Sequence, residues 1–300
     1  MVRLPPAVGT LGDRVLELAF VQAPTARQRE DAAAARERGE YQPFLHDLSA
    51  VRAELARRGV PVCLTYCNET LPSLRGLRPD QVFAFGGLAT MWRWLERFGW
   101  QGRLAPSYPR ALDPFLHRRC WRGTPAQLLA GPARAVRPVF VKTCRPCFPD
   151  GERLDAQVWP TLAPLADIHP SLTQACFLAS EAVGFVSEYR CYVMAGRLLG
   201  VHAYQLLGHY CGPVDGSELE EVMPGIRPDP ALVAEAIAAL GRSGTAPTAY
   251  ALDFGLVAHG RMSLVELNDA VALTNYGLGV GDYLDLHLAR WRELAAIGAI

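Results

Sequence analysis

The chain has 300 residues, half of them hydrophobic and a fifth charged, which suits a globular protein of one large or two smaller domains with ample chain for a core. Thirty basic residues balance thirty acidic ones, so no global charge points to nucleic acid or to a membrane surface. The N-terminus (MVRLPPAVGTLGDR) has no apolar run of signal-peptide length and no later run reaches transmembrane length, so a cytoplasmic protein is expected.

Residues 15–21 (VLELAFV) predict a buried strand, and 25–39 are helix-prone but nearly devoid of large apolar side chains. Residues 43–59 predict a helix, with Phe44, Leu45, Leu48, Val51 and Leu55 at helical spacing and Gly59 closing it. A strand at 60–66, a Pro/Gly-rich connection, a strand at 82–85 and a helix carrying Trp92, Leu95 and Phe98 follow. Strands alternating with helices indicate an α/β layer with largely parallel strands. Further on, a short helix is predicted around 125–130, with Thr124 as N-cap and Pro125 at its first position. The strand PVFVK then ends in Lys142, and the proline-rich stretch 143–172 has room for a helix near 156–167. Strands return at 175–180, 186–194 and 197–204, the last two joined by an Ala-Gly turn as a hairpin. A helix at 229–241 leads into two strands within Tyr250–Tyr276 that turn at His259-Gly260, and an amphipathic helix at 282–297 follows.

Eight cysteines without a secretion signal predict reduced thiols. Cys144 and Cys147 have CxxC spacing, which fits a redox pair or half of a zinc site. A tetrahedral site needs two further ligands, and no second CxxC or nearby histidine pair supplies them. The seven histidines show no pairing that suggests a transition metal. Of the thirty basic residues, Lys142 alone is a lysine. A compact charge on a flexible stem suits a phosphate oxygen deep in a narrow cleft, where the planar fork of Arg does not; chance and a snorkelling surface lysine are the plainer readings.

Along the second strand of the Tyr250–Tyr276 stretch, Glu266 and Asn268 share one face. Asp253, thirteen residues before Glu266, sits at a depth where a hairpin brings it alongside. Two buried carboxylates are costly unless a cation holds them, and hard oxygen ligands suit Mg²⁺, which binds through one or two carboxylates plus substrate phosphates. Solvated acids on an exposed hairpin are the competing reading, and the stretch alone leaves the two even.

Three pieces fall in order: a strand ending in Lys142, the run Ala179-Ser180-Glu181-Ala182-Val183 followed by Ser187-Glu188-Tyr189-Arg190, and the set Asp253, Glu266, Asn268. Together they resemble the ATP-grasp superfamily over roughly residues 82–280. The D-alanine–D-alanine ligases pair a phosphate-binding strand Lys with an adenine hinge, a ribose Glu seven residues after the hinge Glu, and a metal triad with the same Asp, Glu and Asn spacing as here. Glu181 to Glu188 is seven residues and Asp253 to Glu266 is thirteen. The finer pattern, EYR, HAY, LDFG and VELND, is similar to the small ATP-grasp clade named for its arginine and lysines. The resemblance implies an α/β protein with an ATP-grasp fold whose two lobes close on a nucleotide, preceded by an N-terminal α/β domain. The implied boundaries are 1–85 for that domain and 86–300 for the ATP-grasp part, with a lysine-bearing lobe at 86–180 and a carboxylate-bearing lobe at 181–300.

By the same resemblance Lys142 binds phosphate, Glu181 and Val183 are hinge positions that contact adenine largely through backbone, and Glu188 binds ribose. Asp253, Glu266 and Asn268 would hold Mg²⁺, with Mn²⁺ as the alternative ion. Arg190 lies on the face of Glu188, where its fork reaches a phosphate or a developing acyl phosphate, or pairs with Glu188. The implied activity is ATP-dependent ligation of a small-molecule or peptide carboxylate to an amine or similar nucleophile through an acyl phosphate, with no nucleic-acid or membrane partner. ATP-grasp enzymes commonly use a second Lys near the phosphates; this chain has none, and Arg145, Arg190 and His202 are the candidates to replace it. That departure supports an alternative, an ATP-binding kinase or nucleotide sensor without ligase activity, and a CxxC redox or zinc protein is the third reading. Tyr204, Asn275 and Tyr276 are candidates to face the cleft, core packing being the other role.

Overall fold

The computed structural model describes residues 16–38, 42–66, 76–100, 104–144, 156–206, 209–210, 227–257 and 261–297. Three sheets organise them. The first holds β1 (Leu18–Gln22), β2 (Val62–Thr65) and β3 (Val82–Phe85) in the order β2-β1-β3, all parallel. Every residue of β3 is buried, as expected of a parallel strand covered on both faces. Helices α1 (Ala26–Glu37), α2 (Pro43–Arg57) and α3 (Leu88–Arg97) accompany it. The sequence of α1, ARQREDAAAARE, offers no large apolar stripe, and most of the helix is exposed. In α2 the predicted stripe, Leu48, Val51 and Leu55, is buried against the first sheet.

The second sheet is antiparallel and runs β4-β7-β5-β6, from β4 (Cys120–Gly123), β5 (Val139–Thr143), β6 (Gln157–Trp159) and β7 (Phe177–Glu181). Helix α4 (Pro125–Ala130) starts on a capping box: Thr124 Oγ1 accepts from the Gln127 N–H, and Gln127 Oε1 accepts from the Thr124 N–H at 2.9 Å. Where the sequence leaves room for a helix at 156–167, the chain instead forms β6 and a 3-10 turn at Ala163–Asp167. The reason is local: Pro160 and Pro164 interrupt any helix there, and Gln157-Val158-Trp159 pairs with the open edge of β5.

The third sheet, also antiparallel, runs β10-β9-β8-β11-β12. Its strands are β8 (Phe185–Met194), β9 (Arg197–Leu206), β10 (His209–Tyr210), β11 (Ala249–Val257) and β12 (Met262–Asp269). The predicted Ala195-Gly196 turn joins β8 to β9 with φ of 51° and 73°, the two positive values a tight two-residue hairpin requires. Gly255 on β11 makes room for a ring: a Cβ there would lie 2.2 Å from Phe185. The turn at His259-Gly260 falls outside the described residues.

Side chains alternate across this third sheet. Cys191, Val193, Tyr250, Leu252 and Phe254 point into a core with α5 (Pro230–Arg242). Tyr192, Ala249 and Ala251 point the other way, into the core of the first sheet. The final helix, α6 (Val280–Ile297), packs in that same first core. Trp291 there donates its indole N–H to the Val82 carbonyl at 2.6 Å and sets its ring edge-on to Phe83 and Phe98. Among the described residues no helix is long and apolar enough to cross a membrane.

Arg290 of α6 ties this helix to the end of β12. Its Nε donates to Asp269 Oδ1 at 2.7 Å and a terminal nitrogen to Oδ2, and both side chains are at most 5 % exposed. Removing one partner of a buried pair strands the other charge, which costs about 3–5 kcal/mol. Arg290→Ala is therefore expected to lower stability by that order in urea unfolding, with Asp269→Leu/Arg290→Met recovering only part of it, since the Ala105 and Val271 N–H groups then lose the Asp269 carboxylate. An Arg290→Ala loss below about 1 kcal/mol would show that the pair does not hold the helix.

Candidate active site

Strand register brings distant charges into one row. Arg190 of β8 lies opposite Asp253 of β11, Asp253 lies opposite Glu266 of β12, and His202 of β9 lies opposite Arg190 on the other side. The row sits on the face that carries Tyr192 and Ala251, at the point where that face stops being apolar. Bulges disturb the ladder beside it, between Asp253 and Phe254 and between Glu188 and Tyr189, a device that re-aims side chains next to functional sites.

Arg190 grips Asp253 with both arms of its fork, Nε to Oδ1 at 2.9 Å and Nη2 to Oδ2 at 2.7 Å. Asn268 Nδ2 donates to the same Oδ2 at 2.8 Å. Asp253 is 1 % exposed. Burial pushes its carboxyl upward, and the Arg190 charge and hydrogen bonds pull it back. Burial likewise opposes the charge on Arg190, but the Asp253 carboxylate outweighs it and holds the guanidinium well above its ordinary range. The guanidinium also lies over the rings of Tyr204 and Tyr276, 5.5 and 5.1 Å from their centroids, and these rings stack on each other. Both tyrosines thus face the charged row from buried positions, reconciling the two roles the sequence left open.

Lys142 approaches from the second sheet. On β5, Val139 and Val141 point into the core with α4, which leaves Phe140 and Lys142 on the opposite face. There the Lys142 ammonium meets the Glu266 carboxylate in an ion pair, the two side chains 20 % and 16 % exposed. Glu188 sits two residues before Arg190 and accepts from the Tyr204 hydroxyl. Burial raises its carboxyl, and the nearby Asp253 and Glu266 add to the effect. The sequence offered Glu188 or a phosphate as the partner of Arg190; the structure pairs it with Asp253.

The remaining expected residues divide. Glu181 ends β7, and its carboxylate takes the Arg119 side chain and the Arg119 N–H at 2.9 Å. Its own N–H donates to the Arg119 carbonyl at 3.1 Å and its carbonyl accepts from Ser180 Oγ at 3.0 Å. Val183 follows on the half-buried link between β7 and β8. Asn275 is engaged in its own loop, Nδ2 to the Leu278 carbonyl and Oδ1 from the Gly277 N–H. Arg145 and Cys147 lie outside the described residues.

Two residues were not legible in the sequence. Arg118 threads between the second and third sheets, donating to the Leu264 carbonyl at 2.6 Å and to Ser263 Oγ at 3.0 Å. Asp47 reaches over from α2: its Oδ2 accepts the Asn275 N–H at 2.9 Å and the Tyr283 hydroxyl at 3.2 Å, while Oδ1 is buried without a hydrogen-bond partner. The Tyr192 hydroxyl completes this loop, donating to the Thr274 carbonyl at 2.7 Å and accepting from the Tyr276 N–H at 3.0 Å. The one available signal for Asp47 was its position beside Leu48 and Val51 within the apolar stripe of α2.

Among the described residues no three His, Cys, Asp or Glu side chains gather as a cation site. The donor set here is two carboxylates and an amide, all oxygen donors of the hard kind that suit Mg²⁺. Each carboxylate already has a protein cation beside it, Arg190 at Asp253 and Lys142 at Glu266. Glu266 is the more exposed of the two acids. The chemistry of these donors suits a hard divalent cation, which Glu266 and the Asn268 carbonyl oxygen would hold with Asp253 adjoining.

Comparison with known proteins identifies the family and the fold. A family model described as an ATP-grasp domain, family 2 of the clade named for its arginine and lysines, matches residues 115–286. Among solved structures the chain is similar to the D-cycloserine synthetase DcsG, with 14 % identity, a TM-score of 0.51, and coverage of 94 % of this chain and 99 % of that one. It is also similar to D-alanine–D-alanine ligase from Bacillus anthracis, with 10 % identity, a TM-score of 0.49, and coverage of 95 % and 97 %. A search of curated proteins returned no match. The likeness to the synthetase shows the fold, and the bounds of the family match enclose Lys142, Arg190, Asp253, Glu266 and Asn268.

Asp47 gives the site a measurable pH signature. Burial pushes its carboxyl from 3.8 up to about 7, against the Asn275 and Tyr283 hydrogen bonds and the Arg190 charge, which lower it. The native state therefore keeps a proton that the unfolded chain releases near pH 4. Stability falls as pH rises across about 4 to 7 and is level above, a loss of at most about 4 kcal/mol. In Asp47→Asn this component is absent, so the stability of the variant relative to wild type should climb between about pH 4 and 7 in denaturant unfolding. A difference independent of pH would refute the assignment.

Proposed function

Because the chain belongs to family 2 of the ATP-grasp clade named for its arginine and lysines, we propose that it is an ATP-dependent ligase that joins a carboxylate to an amine, or to a similar nucleophile, through an acyl phosphate. The observation that carries this reading is the pairing of two cations from two different sheets, Lys142 and Arg190, with the two carboxylates of one hairpin, Glu266 and Asp253. An anionic nucleotide entering between the sheets finds a lysine that exchanges its carboxylate partner for phosphate. It also finds an arginine whose charge is fixed in place. Three of the five guanidinium N–H groups of Arg190 are engaged by Asp253 and the Thr274 carbonyl, so its contribution is an oriented positive charge at the wall of the cleft.

The reaction begins with the substrate carboxylate attacking the γ-phosphate to give an acyl phosphate and ADP. Attack of an amine on the acyl carbon then displaces phosphate. Lys142 and Arg190 neutralise the charge that builds on the transferred phosphoryl group and on the tetrahedral adduct. Glu188, with the Tyr204 hydroxyl orienting it, takes the ribose, and the second lone pair of the Glu181 carbonyl and the Val183 peptide group take adenine. Mg²⁺, or Mn²⁺, bound by Glu266, Asn268 and Asp253 would supply a Lewis acid at the phosphate oxygens. Arg190, gripped by Asp253 and covered by two tyrosines, is the proposed replacement for the second lysine. No side-chain nucleophile is needed. The proposed substrates are small-molecule or peptide acids and amines, and the proposed setting is the cytoplasm.

The test is ADP release from Mg-ATP across a panel of amino acids and short peptides, with mass spectrometry of the product. A ligase requires an acid and an amine together, whereas a kinase requires a single acceptor. Lys142→Ala and Glu266→Ala are each expected to lower turnover by about a hundredfold or more. Full turnover in both variants would end this reading.

A further inference from the structure

We propose that Cys144 and Cys176 form a reversible disulfide that switches the site off. β5 and β7 run antiparallel with Thr143 opposite Phe177, so the next pair past the strand ends is Cys144 opposite Cys176. The ladder continues through them: the Cys144 N–H donates to the Cys176 carbonyl at 2.8 Å, and the two sulfurs lie 3.2 Å apart as thiols. Cross-strand neighbours have Cβ atoms roughly 4.5–5.5 Å apart, and a disulfide needs roughly 3.5–4.5 Å. Closure therefore requires an approach of about an ångström. Cys144 is buried and Cys176 is exposed. An oxidant consequently meets Cys176 first, with Cys144 already in place as the resolving thiol.

The oxidant class is a low-molecular-weight disulfide. The Cys176 thiolate attacks one of its sulfurs, giving a mixed disulfide and releasing one thiol. Cys144, as its thiolate, attacks the Cys176 sulfur and expels the second thiol. Two protein thiols are oxidised, one external disulfide is reduced to two thiols, and electrons and protons balance.

The consequence for the site follows from the hydrogen bonds. Cys144 lies two residues beyond Lys142 on the same chain segment. Its carbonyl accepts the Ser107 N–H at 3.2 Å, and the Ser107 carbonyl accepts the Leu267 N–H at 2.8 Å. Leu267 stands between Glu266 and Asn268. Drawing Cys144 toward Cys176 thus displaces the end of β5 against β12, which carry the lysine and the carboxylate of one ion pair. The loss of activity rests on the ligase reading above; the disulfide itself does not.

The experiment equilibrates the full chain with glutathione buffers of increasing oxidation and divides each sample three ways. Non-reducing peptide mapping is expected to find a Cys144–Cys176 link that reductant removes. Hydrogen exchange is expected to rise in the β12 peptide of the linked form. ADP release is expected to fall about tenfold on oxidation, with Cys176→Ser unaffected by the same buffers. The proposal is overturned if glutathione stays on Cys176, if Cys144 links elsewhere, or if the linked protein keeps the β12 exchange of the reduced one. Failure of the reduced protein to turn over ATP with any acid and amine would count against the ligase reading alone, since mapping and exchange do not depend on turnover.

Discussion

Asp253 sits in the middle strand of three, with Leu252 and Phe254 as chain neighbours and almost no access to water. An isolated carboxylate there would take up a proton or pull the sheet apart, since desolvation of a single ion costs several kcal/mol. The bidentate fork of Arg190 is what allows it to remain charged. That requirement fixes more than one pair. β8 must lie directly beside β11 and in register with it, Tyr204 and Tyr276 must close over the guanidinium, and Asn268 must turn its amide nitrogen inward. The architecture of the third sheet is in this sense a housing for one buried cation.

Lys142 and Glu266 form a looser counterpart. Both are partly exposed and come from different sheets, so their attraction is weakened by water and is readily exchanged. A rigid pair beside an exchangeable one suits a cleft that must bind and release a polyanion. The rigid pair sets the geometry of the charge, and the exchangeable pair keeps the lysine poised until phosphate competes for it. Burial raises the Glu188 carboxyl, and the neighbouring Asp253 and Glu266 push it further in the same direction, while the Tyr204 hydroxyl and Arg190 oppose them.

What the sequence disclosed was short-range or periodic. The alternation that places Glu266 and Asn268 on one face and the distance from Asp253 to Glu266 are properties of one hairpin, and one hairpin is read from its own residues. The parallel first sheet was equally legible, because strands alternating with helices belong to an α/β layer with largely parallel strands. The partner of Arg190 was not, because it depends on which strand lies beside β8, and strand order is set by the whole fold. Asp47 escaped for a related reason: an acid on a helix reads as solvated unless something is known to cover it. The CxxC spacing directed attention to Cys147, whereas the thiol that faces Cys144 across the ladder lies 32 residues away. The stretch near 156–167 misled through its composition, which suits a helix apart from its two prolines.

The loop from Thr274 to Tyr276 joins these elements into one object. Its carbonyl at Thr274 takes Arg190 and Tyr192, its N–H at Asn275 is held by Asp47 of α2, and its ring at Tyr276 covers the guanidinium. α6 then carries the chain back into the core of the first sheet, where Tyr283 shares Asp47 and Trp291 caps Val82. Packing of the N-terminal sheet, position of the loop and orientation of Arg190 are therefore mechanically linked. Movement of that sheet and its helices is transmitted to the charged row, because Asp47 and the guanidinium hold the same three residues. In the proposed ligase this linkage gives the N-terminal layer a direct mechanical route to the cation that would stabilise phosphoryl transfer.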